Sequence, residues 1–341
     1  MAARPERTRE YLGWNFDSAY WDRYTPRDDD IVISTSMKAG TTWMQRICAA
    51  LVFQRTELDK PMDMISPWID MRLAVPEFTI PLIDAQTHRR FIKSHLPLDA
   101  IPFYEQVSYI VVCRDARDVF ISTMNHLDNA NEKIYEETNS HDGEELIAYR
   151  ERAGIDVSPQ EREILLRMRR WEGETIPMMN DVDIRERWKL WITKSMFPWE
   201  QDGYPMWSHF YHLASWWPYR KLPNVLLVHY NDLLTDQDGQ MRKLSEWLGI
   251  PIDEAIWPSL VESTTFRQMK KDFAKTTPVV TQKIWRDPQD FFHKGRTGQW
   301  RDVLTEEDLK LYDVAADRTL EPEARRWMEE GTLGFADPKE I

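Results

Sequence analysis

Cysteine is scarce in this chain: two residues in 341, Cys48 and Cys113, each inside an apolar segment. Two thiols so placed do not form a disulfide framework, and buried free thiols in a reducing compartment are the expectation. No apolar run approaches the roughly 20 residues that cross a bilayer. The opening MAARPERTRE also lacks the apolar region of a signal peptide. A cytoplasmic protein with no membrane span is therefore expected. Positive charge is short as well: 44 Lys and Arg face 57 Asp and Glu, for a net charge of −13. An acidic chain suits nucleic acid poorly, so any anion it binds must be met by a local basic pocket. Internal repeats, low-complexity stretches and clustered metal ligands are missing too, and no metal is expected.

What is present is the composition of a folded protein, 42% hydrophobic with a mean hydropathy of −0.60. Four short runs rich in β-branched residues read as buried strands: IVIS (31–34), FIKSH (91–95), YIVVCR (109–114) and VLLVHY (225–230). Helical patterns follow them. TTWMQRICAALVF puts Trp43, Met44, Ile47, Cys48 and Leu51 along one face. ARDVFISTMNHL follows the third strand, and DGQMRKLSEWLG stops at Gly249 with Pro251 beyond. Thr305 and Asp308 have capping-box spacing ahead of another helix. Strands alternating with helices imply an α/β fold, a single domain over residues 1–341 with a central, mostly parallel sheet flanked by helices. Residues 128–202 stand apart, with 18 acidic and 11 basic side chains. Seven of the sixteen tryptophans fall between Trp171 and Trp217. A helical insertion packed over a ligand pocket, an acceptor lid, is the expectation.

The stretch STSMKAGTTWMQRI (34–47) follows the first strand and opens a helix. Free N–H groups at a helix start favour an anion, Gly40 lets backbone approach closely, and Thr41 and Thr42 add hydroxyl donors. Lys38 adds a full charge. The order differs from the G-K-[ST] of a triphosphate loop, so a Mg-bound triphosphate is not expected there. In FIKSHLP, Lys93 and His95 are two apart on a strand and face the same side, at the carboxyl end where open α/β sheets form their crevice. An imidazole there can take a proton from a hydroxyl. Arg114 ends the third strand with Ser122 eight residues on; the guanidinium fork and a hydroxyl suit phosphate oxygens. Arg117 and Asp118 are expected to pair with each other.

The first of these stretches resembles the 5′-phosphosulfate loop of the soluble sulfotransferases, usually Y-P-K-S-G-T-T-W, with Met37 for proline and Ala39 for serine. FIKSHLP resembles that family's K-T-H-L-P segment, and YIVVCRDARDVFISTMNH its 3′-phosphate segment. FFHKGRTGQWRDVLT (291–305) resembles R-K-G-x-x-G-D-W, with His293 where arginine is common and Gln299 for aspartate. VLLVHYNDLL and STTFRQMKKD resemble two purine-side segments. The resemblance implies a P-loop-kinase-like sulfotransferase fold and 3′-phosphoadenosine 5′-phosphosulfate (PAPS) as sulfuryl donor, leaving 3′-phosphoadenosine 5′-phosphate (PAP). It implies that His95 is the general base, that Lys38 serves the bridging oxygen and Lys93 a sulfuryl oxygen. Ala39, Gly40, Thr41 and Thr42 would cradle the 5′-phosphate and Trp43 stack on adenine. Arg114, Ser122, Lys294, Gly295 and either His293 or Arg296 would hold the 3′-phosphate, with Tyr230, Thr264, Phe266 and Met269 around the purine. The acceptor implied is a small molecule bearing a hydroxyl, hydrophobic or glycolipid-like. The family's C-terminal dimerisation sequence is not evident, which leaves homo-oligomerisation open. Two rivals remain: a P-loop kinase-like phosphotransferase, which the residue order around Lys38 opposes, and a non-catalytic PAP-binding protein, which the intact Lys38, Lys93 and His95 oppose.

Overall fold

The computed structural model describes residues 4–272, 285–287 and 295–341. Its centre is a four-stranded, wholly parallel sheet in the order β2-β1-β3-β4. The strands are β1 (Ile31–Thr35), β2 (Phe91–Ser94), β3 (Ser108–Cys113) and β4 (Val225–His229). Each is covered on both faces, which is why the sequence reads as near-continuous apolar runs and not as alternation. Side chains still alternate between two separate cores. Val32, Tyr109, Val111 and Leu227 enter one, while Ile31, Ile33, Ile110 and Val228 enter the other.

Helix α1 (Thr41–Phe53) leaves β1 and packs on the second core. Short helices α2 (Met62–Ile65) and α3 (Pro76–Asp84) lead to β2. After β3 come α4 (Ala116–Asn129), α5 (Glu132–Thr138), α6 (Gly143–Arg152), α7 (Pro159–Leu165), α8 (Ile184–Thr193) and α9 (His209–Trp216). After β4 come α10 (Tyr230–Thr235), α11 (Gln237–Trp247), α12 (Trp257–Ser263) and α13 (Phe266–Lys271). The last two are α14 (Glu306–Thr319), opened by the expected Thr305–Asp308 capping box, and α15 (Pro322–Gly334). Among the described residues no helix is long and apolar enough to cross a membrane. Both cysteines are buried free thiols.

The tryptophans of the acid-rich segment do not form a separate layer. Trp171, Trp188 and Trp191 are buried in the first core with Trp216 and Trp217. Trp188 stacks on Trp191 and meets Phe120 of α4 edge-on. Only α6 and α7 build a core of their own, through Leu146, Ile147, Leu165 and Met168 against Tyr20 and Val75. The buried Arg72 guanidinium donates to the carbonyls of Thr138, Ser140 and His141, satisfying the end of α5 and tying it to the loop before α3.

The two ends of the sheet divide their tasks. At the amino end, Asp30 before β1 and Arg90 before β2 form a fully buried pair, with Arg90 Nε donating to Asp30 Oδ1 at 2.8 Å and Tyr24 donating to the same carboxylate. Removing one partner strands the other charge in the interior. Arg90→Met should therefore lower unfolding free energy by about 3–5 kcal/mol in urea titrations. Breaking the exposed Arg326–Glu330 pair should cost under about 1 kcal/mol.

Candidate functional site

At the carboxyl end the strand order reverses between β1 and β3, the place where open α/β sheets leave a crevice. A cavity of about 480 Å³ opens there. It is bordered by Lys38, Gly40, Thr41, Thr42 and Trp43 after β1, Lys93 in β2 with His95 just after it, and Arg114 after β3. Ser122, Tyr230, Phe266, Met269 and Gly295, which the motifs also brought forward, line it too.

The β1–α1 loop is bent by two residues in the left-handed region, Lys38 (φ 59°) and Gly40 (φ 119°). Gly40 caps α1 without a side chain, whereas Asp115 caps α4 and Ser208 caps α9. The first N–H groups of α1 thus lack a side-chain acceptor, and the residues carrying them border the cavity. A Cβ on Gly40 would lie 2.9 Å from Tyr230 Cδ2, so glycine is what lets this turn reach the aromatic wall. Gly295 does the same against Phe266, at 2.7 Å. Thr41 is turned inward, its hydroxyl 2.5 Å from that of Thr35.

Three cations border this cavity, Arg114 buried and Lys38 and Lys93 half-buried. Burial, then the charges of Arg114 and Lys93, push the Lys38 ammonium down to about 7. Its Nζ lies 3.4 Å from Nδ1 of His126. Burial holds Lys93 at about 8 even though Asp70 and Asp63 favour its charge. Its Nζ sits 4.4 Å over the ring of Trp68. Arg114 lies 4.3 Å over the Tyr230 ring and donates to the carbonyls of Arg296 (3.2 Å) and Lys38 (3.5 Å). Its Nε is buried with no acceptor among the described residues. Crowded cations and an orphaned guanidinium N–H fit a polyanionic ligand.

His95 is nearly inaccessible, and its Nδ1 lies 2.8 Å from the Thr35 carbonyl. A carbonyl only accepts, so Nδ1 carries the proton and Nε2 keeps its lone pair. Burial, followed by the Lys93 charge, drives this imidazole well below its ordinary value, so it is neutral. Trp68 and Trp207 wall the ring at 4.8 and 5.3 Å. The indole of Trp68 is held by the buried Asp70 carboxylate, which also accepts from Trp21 (2.8 Å) and Ser94 (2.5 Å). Burial raises Asp70 to about 6. The rest of the lining is mostly apolar and includes Trp14, Met71, Phe78, Ile134, Tyr135 and Met206.

Some expected residues lie elsewhere. Thr264 is fully buried outside the lining, its hydroxyl accepting from Gln237 (2.6 Å) and donating to Val261 (2.9 Å). Ala39 is buried behind the loop, and Arg296 offers Arg114 its carbonyl. His293 and Lys294 lie outside the described residues. The Arg117–Asp118 pair does not form. Arg117 grips Asp115 at 2.7 Å, and Asp118 accepts from the Gly298 (2.8 Å) and Gln299 (3.0 Å) amides. Residue spacing could not choose between two aspartates; burial of Asp118 against the glycine loop does. Trp68, Asp70 and His126 escaped sequence reading because the site residues they meet, His95, Ser94 and Lys38, are distant from them in the chain.

Comparisons with known proteins give the family and the fold. The model of the sulfotransferase domain family matches residues 28–323. A glycolipid sulfotransferase of Mycobacterium bovis is 32% identical over 335 residues, covering 94% of both chains. Sulfotransferase 1A1 of Rattus norvegicus is 23% identical, covering 87% of this chain and 86% of its own. Two solved structures share the fold. Retinol dehydratase with androsterone and the inactive cofactor PAP superposes with TM-score 0.60 and 19% identity, over 89% of this chain and 84% of that one. Mouse sulfotransferase SULT7A1 complexed with PAP gives 0.60 and 17%, over 91% and 92%.

Gly40→Ala meets both a left-handed φ and the Tyr230 ring. It should destabilise the protein by about 1–3 kcal/mol and lower the melting temperature, which calorimetry would read directly.

Proposed function

The chain belongs to the sulfotransferase domain family and is a sulfotransferase; from that premise we propose that its donor is PAPS and its acceptor a hydroxyl on a small hydrophobic or glycolipid-like molecule. The observation that carries this reading is a neutral imidazole, its Nε2 left basic by the Thr35 carbonyl, sharing one cavity with the buried Arg114 and the half-buried Lys38 and Lys93. The PAP complexes of the two structural neighbours and the names of the mycobacterial relatives support the donor and acceptor classes.

In this mechanism His95 Nε2 takes the acceptor proton as the acceptor oxygen bonds to sulfur. The bond from sulfur to the bridging oxygen breaks in line, as in phosphoryl transfer. Lys38 and the uncapped start of α1 meet the charge left on the departing phosphate, and Lys93 meets a sulfuryl oxygen. Arg114, with Ser122 and the Gly295 loop, holds the second phosphate. Trp43 and Tyr230, 5.3 Å apart and near perpendicular, offer a ring face for the purine beside Phe266 and Met269. The acceptor occupies the apolar part of the cavity, where Ile134, Tyr135 and Thr138 give residues 128–202 their share. None of these steps passes through a metal.

Two outcomes are expected. His95→Ala should cut sulfuryl transfer from PAPS by about 10²–10⁴-fold while calorimetric PAP affinity changes little; full turnover in the variant removes His95 from the chemistry. An anion entering the cavity returns Lys38 and Lys93, held at about 7 and about 8, towards their ordinary values. PAP binding should therefore take up protons above pH 7, and affinity should fall as pH rises, by at most about tenfold per unit for each lysine. Titration in buffers of different ionisation enthalpy would measure the uptake, and Lys38→Met should reduce it.

A further inference from the structure

The phosphate handles Lys38 and Arg114 stand on loops that diverge after β1 and β3. One side chain outside the cavity lining bridges these loops. His209, the first residue of α9, is buried at 2% exposure. Its Nε2 lies 2.8 Å from the carbonyl of Arg114, and its Nδ1 lies 2.5 Å from the hydroxyl of Ser36, two residues before Lys38. The carbonyl requires a proton on Nε2, so Nδ1 accepts from Ser36. One imidazole thus uses both nitrogens to tie the two loops together.

The imidazole is itself anchored. Asp202 accepts the His209 amide at 3.0 Å, and Glu200 accepts the Ser208 amide at 3.0 Å. The Ser208 hydroxyl bonds Asp202 and also caps α9 at the Tyr211 amide, 2.8 Å away. Both carboxylates are buried, and Tyr11 donates to Glu200 at 2.9 Å. Three successive layers therefore fix the ring: carboxylates, helix start, imidazole.

We propose that His209 is a positioning residue that sets the separation of the two phosphate handles, so that a ligand bearing phosphates at both ends gains more than either phosphate alone. This rests on the donor assignment made above. A rigid spacing makes the second phosphate contact intramolecular, and slack between the loops dilutes that advantage. His209 touches neither phosphate, so a ligand with a single phosphate does not depend on the spacing.

The test compares dissociation constants for PAP, 3′-AMP and 5′-AMP in wild type, His209→Phe and His209→Gln. His209→Phe should weaken PAP by about tenfold or more and each monophosphate by less than about threefold. Gln can donate to the Arg114 carbonyl and accept from Ser36, so His209→Gln should recover most of the PAP affinity. Should His209→Phe fail to fold, Ser36→Ala removes only the Nδ1 contact and should show the same PAP-selective loss, smaller in size. Equal weakening of all three ligands, or unchanged PAP affinity in both His209→Phe and Ser36→Ala, overturns the role of His209 with the donor assignment intact. Wild-type protein that ignores PAP overturns both.

Discussion

Crowding of like charge around one cavity is the constraint on which the rest of the molecule depends. Lys38, Lys93 and Arg114 share a cavity in a protein whose net charge is −13. Burial holds both lysines well below the value of a solvated ammonium, and the charges of Arg114 and Lys93 push Lys38 down further. Between those lowered values and the ordinary lysine range, the unfolded chain binds more protons than the folded one. Stability of the empty protein accordingly rises with pH across that window, and below it the full cost of the buried charges is borne. Binding an anion reverses that cost, which is how a site can be both destabilising and selective.

The fold meets the constraint by separating functions along the sheet. The amino end carries a matched, fully buried ion pair, Asp30 with Arg90. At the carboxyl end the loops hold their shape through glycine turns, through carbonyls that receive Arg114, and through neutral histidines held by hydrogen bonds. His95, His209 and His212 are all buried and all shifted down. Neutral imidazoles can organise backbone and hydroxyl groups beside a cation cluster without adding to its charge.

Much of this was legible in the residues. Strands buried on two faces announce themselves as β-branched runs, and all four appear in the sheet within a residue of their expected bounds. Tyr230 is the informative departure: it opens α10 and does not close β4, which turns its ring to face Gly40 and Arg114. The loop around Lys38, the Lys93–His95 spacing and Arg114 were visible because each is local. Thr264 was misplaced because a threonine's spacing says nothing about whether its hydroxyl is already used by Gln237 and Val261. Asp70 and His209 were invisible because their ties to Ser94, Ser36 and Arg114 span more than twenty residues, and such contacts exist only once the sheet order is known.

The acid-rich segment between α4 and α9 has an unequal anatomy. Its first turns, at Ile134, Tyr135 and Thr138, face the cavity; its last residues, Glu200 and Asp202, clamp the start of α9. A change at Ile134, Tyr135 or Thr138 reshapes the cavity wall directly, whereas a change at Glu200 or Asp202 is felt there through the start of α9. One continuous stretch thus supplies both a wall and an anchor, and its two ends answer to mutation in different ways.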